Sequence, residues 1–321
     1  MGGSSPRLFC QNPEIPHIGL VRQHDYRALS FVLLRQVEKL SLRKSPANLS
    51  ATIKTGMPVP SDKSVELRFR FGQNWANYLS VVDEDRIAEA TQRLSEMLGS
   101  LRGKSFLDVG SGSGIQSLAA VRLGAARVHS FDFDGQSVAC SQEMKRRFAP
   151  AANWHIEQGS ILDEEYVRSL GTFDVVYSWG VLHHTGAMWK ALEMATVPAQ
   201  ETLMIAIYAD QGLVSRAWDR LKRMYAHYPV TRPAVTLASL ATLWGPKLLL
   251  RPHRVIHDWK TWQKRGMSPW HDVVDWAGGY PYEFSTPEKI ADFAGQHGFR
   301  VARTERFGRI ITCYEYVLSR S

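Results

Sequence analysis

"FLDVGSGSGIQSLAA", Phe106 to Ala120, sets an apolar run ending in an acid directly before three glycines at alternate positions and a helix-forming run. That order is a strand, a tight turn and a helix. The backbone of such a turn must approach a ligand closely, and glycine leaves the approach open because it has no Cβ. Outward from it the same layout repeats. "KSFLDVG", "ARVHSFDFD", "NWHIEQG", "FDVVYSWG" and "ETLMIAIYAD" are strand-length apolar runs, and helices are expected from Ile115, from about Gln136 and from about Met188. Strands alternating with helices make right-handed βαβ units and a parallel sheet covered on both faces. The expected fold is α/β, a Rossmann-like doubly wound sheet of seven strands.

The flanks divide by composition. Residues 1–66 read as an N-terminal extension that packs or dimerises, with "YRALSFVLLRQVEKL" an amphipathic helix and "SPANLSATIKTGMPVPSDKS" a loop. Residues 67–100 read as a helical lead-in, with Ile87, Leu94 and Leu98 near helical spacing, and residues 101–210 as the core. Residues 211–284, rich in Trp, Tyr, Arg and His, read as a mostly helical cap inserted before the last helix and strand pair, which residues 285–321 supply. In "STPEKIADFAGQHGF" Ser285 or Thr286 caps a helix, Pro287 suits its first turn, Glu288 complements the dipole and Gly298 ends it.

A chain of 321 residues with 44% hydrophobic content can bury one large core or two modest ones. Its formal charge of +8 and pI of about 9.4 favour anionic partners. The basic residues are interspersed with acids and aromatics, as in "WDRLKRMYAHYP", which argues for solvated helix faces rather than a nucleic-acid groove. Cys10, Cys140 and Cys313 are far apart and form no CxxC pair, so neither a disulfide framework nor a zinc site is expected, and a cytoplasmic location fits. No uninterrupted apolar run approaches the roughly 20 residues of a membrane span, so no membrane association is expected. "MGGSSP" has no secretory pattern.

Three cofactors compete for the glycine turn. A P-loop needs Gly-Lys-Ser/Thr, and Gly114 is followed by Ile115 and Gln116. A dinucleotide turn needs G-x-G-x-x-G, and Gly110, Gly112 and Gly114 bring the third glycine one position early. The remaining fit is adenosine with an amino-acid tail.

With those residues in place, the segment resembles motif I of the class I S-adenosylmethionine-dependent methyltransferases. The resemblance implies that Asp108 anchors the methionine end and that Asp132, with Phe133 beside it, binds the ribose side; a carboxylate suits a vicinal diol. Asp134 is the alternative, with a simpler reading as the start of the next helix. "EQGSILD" resembles the adenine-side loop, with Ser160 where the family often has Asp and Ile161 next to it. "FDVVYSWGVLHHTG" resembles the strand-four motif, which brings Ser178, Trp179 and His183 to the cofactor. A narrower resemblance, carried by "RFRFGQNWANYL", "IAIYADQG" and "RGMSPWHDVVDWAGGYPYEF", is to a bacterial subgroup of small-molecule methyltransferases. "VPAQETLM" departs from its Pro-Gly-Gly turn, and "ERFGRIITCYEYVL" lacks its glycine-rich last strand.

The resemblance implies S-adenosylmethionine as cofactor, S-adenosylhomocysteine as product and no metal. Methyl transfer is an in-line displacement, so aligning the acceptor in a dry cavity contributes most. Trp75 and Tyr78 in the lead-in and Trp270, Trp276, Tyr280 and Tyr282 in the cap are candidate substrate walls; the cap also has Trp259 and Trp262, and about half of its rings are expected to form its own small core. His271 is the first candidate for general base, with Asp272, Asp275, Glu283, Tyr208 and His184 as rivals. His253 and His257, four apart beside Asp258, lack the Glu of a metalloprotease motif. The function expected is methyl transfer to a small aromatic metabolite, indole or phenol, in natural-product biosynthesis. An RNA methyltransferase and an inactive cofactor-binding partner subunit are the alternatives.

Overall fold

Asp83 accepts from the Arg86 amide and opens α1, Glu84–Leu98, whose Ile87, Leu94 and Met97 are buried. The computed structural model describes Leu79 and residues 82–261, 269–308 and 312–321, within one unit, residues 61–321. After α1 come β1 (Ser105–Val109), α2 (Ile115–Arg122), β2 (Arg127–Asp132), α3 (Gly135–Phe148), β3 (Trp154–Gln158), α4 (Glu164–Ser169), β4 (Phe173–Trp179), α5 (Met188–Thr196) and β5 (Ala199–Tyr208). Four helices follow: α6 (Leu213–His227), α7 (Arg232–Leu250), α8 (Pro252–Thr261) and α9 (Pro269–Gly278). α10 (Pro287–Gln296), β6 (Phe299–Phe307) and β7 (Cys313–Arg320) close the chain.

The seven strands form one sheet in the order β3-β2-β1-β4-β5-β7-β6. Strand neighbours fall on opposite faces, so consecutive apolar residues feed two cores. Phe106, Val128, Trp154, Val175 and Met204 pack with α1, α2 and α3. Leu107, Phe131, Val176, Leu203 and Ile205 pack with α4, α5 and α10. This is why the strands read as continuous apolar runs.

The sheet differs from an all-parallel one at its end. β7 runs antiparallel to both β5 and β6, because only residues 308–312 join β6 to β7 and so short a link permits a hairpin but no crossover. α4, capped by Asp163, is a further element the sequence reading passed over.

The strand order reverses between β1 and β4, and in open α/β sheets ligands bind at such a switch, beyond the carboxyl ends of the strands. The helices α6 to α9 leave and rejoin the sheet at one point there. Ala209 and Ser285 form a parallel bridge, and the Ser285 amide donates to the Tyr208 carbonyl at 2.9 Å. Two apolar clusters hold the insert together. Trp218, Trp276 and Tyr282 form one, and Trp244, Val255 and Val273, with Trp259 against them, form the other.

One helix bears on the expectation about membrane spans. The helix over Pro229–Leu250 has the length and composition of a membrane span, with a mean hydropathy of 1.2. Ala, Ser, Thr and Gly between its leucines make it apolar on average without an unbroken apolar run. Its Val235, Ser239 and Trp244 are buried in the insert, while Leu237, Leu249 and Leu250 are exposed.

Candidate active site

The glycine turn sits at the carboxyl end of β1. Gly110 and Gly114 have φ of 76° and 80°, a region that side chains rarely adopt. A Cβ on Gly110 would also lie 2.5 Å from both γ carbons of Val181, and one on Gly114 would lie 2.8 Å from Ser141 Oγ. The turn is therefore closed to any other residue on two counts.

Asp132, at the end of β2, ties the turn down. Its Oδ2 accepts from the Gly112 amide and its Oδ1 from the Asp134 amide, both at 2.9 Å. A carboxylate has about four acceptor positions, so both oxygens retain capacity for hydroxyl donors. Burial raises the Asp132 pKa to about 6 against these hydrogen bonds. Asp108 is buried at the end of β1, where Ser117 Oγ donates to it at 2.6 Å. Burial, and then the charge of Asp132, raise it to about 7 despite the Ser117 bonds. Asp134 caps α3 by accepting from the Gln136 amide, the simpler of its two readings.

The other residues expected at the cofactor divide. Phe133 is exposed beside Asp132. Ser160 accepts from the Leu162 amide within its own turn, and Ile161 is buried in the core. Ser178 donates to the Val109 carbonyl at 3.1 Å, bracing β4 against β1 next to the glycine turn. Trp179 donates to Glu315 Oε1 at 2.6 Å and packs on Phe307, in the core side of the sheet.

Past β4 the chain turns through a short 3-10 helix, Leu182–His184, and the two histidines meet the insert. His183 is fully buried, with its ring 4.2 Å from that of Tyr208 and 4.5 Å from that of His184. Its Nδ1 lies 3.1 Å from the Ala206 carbonyl, which assigns the proton to Nδ1 and a lone pair to Nε2. His184 Nδ1 lies 2.6 Å from the Pro281 carbonyl in the same way. Burial holds His183 well below the usual imidazole range and His184 at about 4, so both are neutral at neutral pH.

Tyr208 joins these rings to those of Trp276 and Tyr282, at 5.8 and 4.9 Å. Trp270 is partly buried on α9, and Tyr280 packs instead against His227, with ring centres 5.7 Å apart. Glu283 turns to the start of α5, both carboxylate oxygens accepting from the Met188 amide at 3.1 Å. Asp272 lies in the first turn of α9. Trp75, Tyr78, Trp262 and the side chain of His271 lie outside the described residues.

Sequence reasoning missed Lys222. It is fully buried on α6, donates to the Trp276 carbonyl and lies 3.7 Å from the centre of the Trp276 ring. The signal was available. Ser215, Trp218 and Lys222 follow at helical spacing on the buried face of α6, so a lysine stands where an apolar residue is due.

Among the described residues, three buried side-chain atoms have no hydrogen-bond partner: Gln116 Oε1, His183 Nε2 and Trp276 Nε1. Gln116 is in the first turn after the glycines, His183 follows β4, and Trp276 faces Tyr208 at the end of β5. Buried polar atoms are nearly always paired, so three exceptions at one edge of the sheet mark where a ligand belongs. Surface grooves of about 450 and 240 Å³ lie elsewhere, along Glu84–Ser95 and beside Gln142–Ile156. Asp258, the third member of the His253 and His257 group, lies 3.5 Å from Lys247.

The family model of ribosomal protein L11 methyltransferase (PrmA) matches residues 90–179, from α1 to the end of β4. That stretch contains the glycine turn, Asp108 and Asp132. Over that stretch the chain is similar to the ribosomal protein L11 methyltransferases. A ribosomal protein L11 methyltransferase of Xanthomonas campestris pv. campestris is 43% identical over 132 residues, 40% of this chain and 41% of that protein. A tRNA U34 carboxymethyltransferase of Alteromonas mediterranea is 35% identical over 96 residues, 29% of this chain and 28% of that protein. The chain thus spans less than half the length of these curated relatives. Among solved structures, magnesium protoporphyrin IX methyltransferase from Synechocystis PCC 6803 with bound SAM is similar at a TM-score of 0.49 and 14% identity, over 83% of this chain and 100% of that one. The strands β1 to β4 carry the segment that the family model matches, and the helical insert from Leu213 to Gly278 lies wholly outside that segment.

Proposed function

We propose that this chain is a methyltransferase that uses S-adenosylmethionine to methylate a small aromatic acceptor, an indole or a phenol, in natural-product tailoring. One observation carries the reading: His183 Nε2 is buried and without a partner, and the His183 ring packs on Tyr208, whose ring in turn packs on those of Trp276 and Tyr282. The cofactor, when bound, supplies an electrophilic methyl on a sulfonium. The residues fit it, since Gly110 and Gly114, each closed to a side chain by its neighbours, hold the tight turn at the end of β1, and Asp132 offers acceptors to a diol.

His183 suits a proton acceptor. Its Nδ1 is fixed on the Ala206 carbonyl, and its lone pair faces no protein donor. An acceptor hydroxyl or N–H would donate to Nε2 and lose its proton there as methyl transfer proceeds. The rings exclude water and hold a flat acceptor in line, and such alignment supplies on the order of 7–11 kcal/mol. Aromatic faces also favour a nearby cation by roughly 0.5–2 kcal/mol.

The ribosomal protein L11 family model supports a protein acceptor only through residues 90–179, the segment with the glycine turn. Of the rings read as facing the acceptor, Trp276 belongs to the insert and Tyr282 to the segment following it, while Tyr208 ends β5. Calorimetric titration with S-adenosylmethionine, S-adenosylhomocysteine and NAD, followed by labelled-methyl transfer to indoles, phenols, ribosomal protein L11 and RNA, tests the reading. Binding of the two adenosyl ligands alone, with label on an aromatic small molecule, is expected. Binding of NAD alone, or label on L11 or RNA only, overturns it.

A further inference from the structure

Lys222 is a buried amine with too little to balance it. No ion pair joins it to a described carboxylate; Asp275 is near enough only to favour its charge. One of its three N–H donors goes to the Trp276 carbonyl, and the amine rests against the faces of Trp276 and Tyr282 at 3.7 and 5.1 Å. A cation left unpaired inside a protein is strongly disfavoured, and ring faces offset only a small part of that.

Asp275 is the negative charge that reaches it, through space and without an ion pair. His183 and His184 both lie close enough to Lys222 for its charge to oppose their protonation. Glu283 is turned away onto the Met188 amide. Gly279 lets the insert pack closely here, since a Cβ there would lie 3.1 Å from the Asp275 carbonyl, 3.3 Å from His184 Cε1 and 3.5 Å from Lys222 Nζ. The groups left over are the spare N–H donors of Lys222, the Trp276 indole N–H and the His183 Nε2 lone pair.

Two donors and one acceptor around an aromatic cluster describe the missing partner. On the reading of the site given above, we propose that the acceptor is an aromatic acid, whose carboxylate is held by Lys222 Nζ and the Trp276 indole N–H while its hydroxyl or ring N–H donates to His183 Nε2. Such a molecule satisfies each of these unpaired groups at once and gives the buried amine its counter-charge. Burial lowers the proton affinity of Lys222 well below the usual lysine value, and an arriving carboxylate restores it.

The test is calorimetry on the full chain saturated with S-adenosylhomocysteine, at neutral pH. The probes are para-hydroxybenzoate and indole-3-acetate, each beside its neutral amide. At least one acid should bind about tenfold or more tighter than its amide, a difference of about 1.4 kcal/mol. In Lys222→Met that preference should fall below about twofold while S-adenosylhomocysteine affinity is unchanged. Equal binding of acid and amide, a preference that survives Lys222→Met, or failure of all four probes to bind overturns the proposal. If Lys222→Met loses S-adenosylhomocysteine binding by failing to fold, the acid and amide comparison on the native chain decides alone. Failure of the native chain to bind S-adenosylhomocysteine overturns the methyltransferase reading instead.

Discussion

Asp108 and Asp132 are both buried beside the glycine turn, and both hold protons at pH values where the unfolded chain has released them. Folding therefore takes up protons between the ordinary carboxylate value near 3.8 and the raised values near 6 and 7, so stability falls as pH rises through that window. Asp108→Asn keeps an oxygen for the Ser117 hydroxyl and removes the titration. Its Tm should exceed that of the parent at pH 8 by about 2 °C or more, with the gap closing toward pH 4. Parallel melting curves of the two proteins at a series of pH values check it; a constant gap would deny Asp108 its raised pKa. These acids were legible in the sequence because the turn fixes their spacing from the glycines. Lys222 was not singled out, because its partners are a backbone carbonyl and two ring faces contributed by residues more than fifty positions away.

At the scale of elements, α5 begins without a capping side chain of its own, since Ala187 precedes it, and Glu283 supplies the acceptor from the far side of the insert. The carboxylate thus joins the return of the insert to a core helix. Glu283→Ala should cost about 1 kcal/mol of stability, in the range of a lost N-cap, with S-adenosylhomocysteine affinity retained. Glu283→Gln keeps an acceptor for the Met188 amide and should retain most stability and turnover. Urea melts beside turnover measure both; a stable Gln variant without turnover would move Glu283 into the chemistry. The alternating strands and helices of the core were legible because burial on both faces makes each strand a continuous apolar run. α4 was not, having only six residues and Val167 as its one buried side chain. The insert read as mostly helical, but the bounds of its helices were hidden by rings and bases that blur a 3.6-residue period, although the Thr286 cap beyond them was legible, its hydroxyl accepting from the Lys289 amide.

Across the whole molecule the charge is uneven. Between Leu213 and Asp258 the chain has eight Lys and Arg against two Asp, so most of the formal +8 lies in the insert. That distribution suits an anionic partner at the insert, and its salt response tells which kind. A nucleic acid held by six to ten phosphate contacts loses roughly 10³–10⁵ in affinity between about 50 and 200 mM salt. One carboxylate met by one buried amine lies out of reach of mobile ions, because buried pairs are screened far less than exposed ones. Arg220 and Arg223 on α6, and Arg251 between α7 and α8, are then solubilising charges rather than a docking surface, and Arg223 is already paired with Asp219 at 3.0 Å. The acceptor KM, measured between about 50 and 300 mM salt, should change by less than about threefold. A steep rise in KM would instead place the acceptor on the outer basic face, make it a polyanion and return RNA to first place among the acceptors.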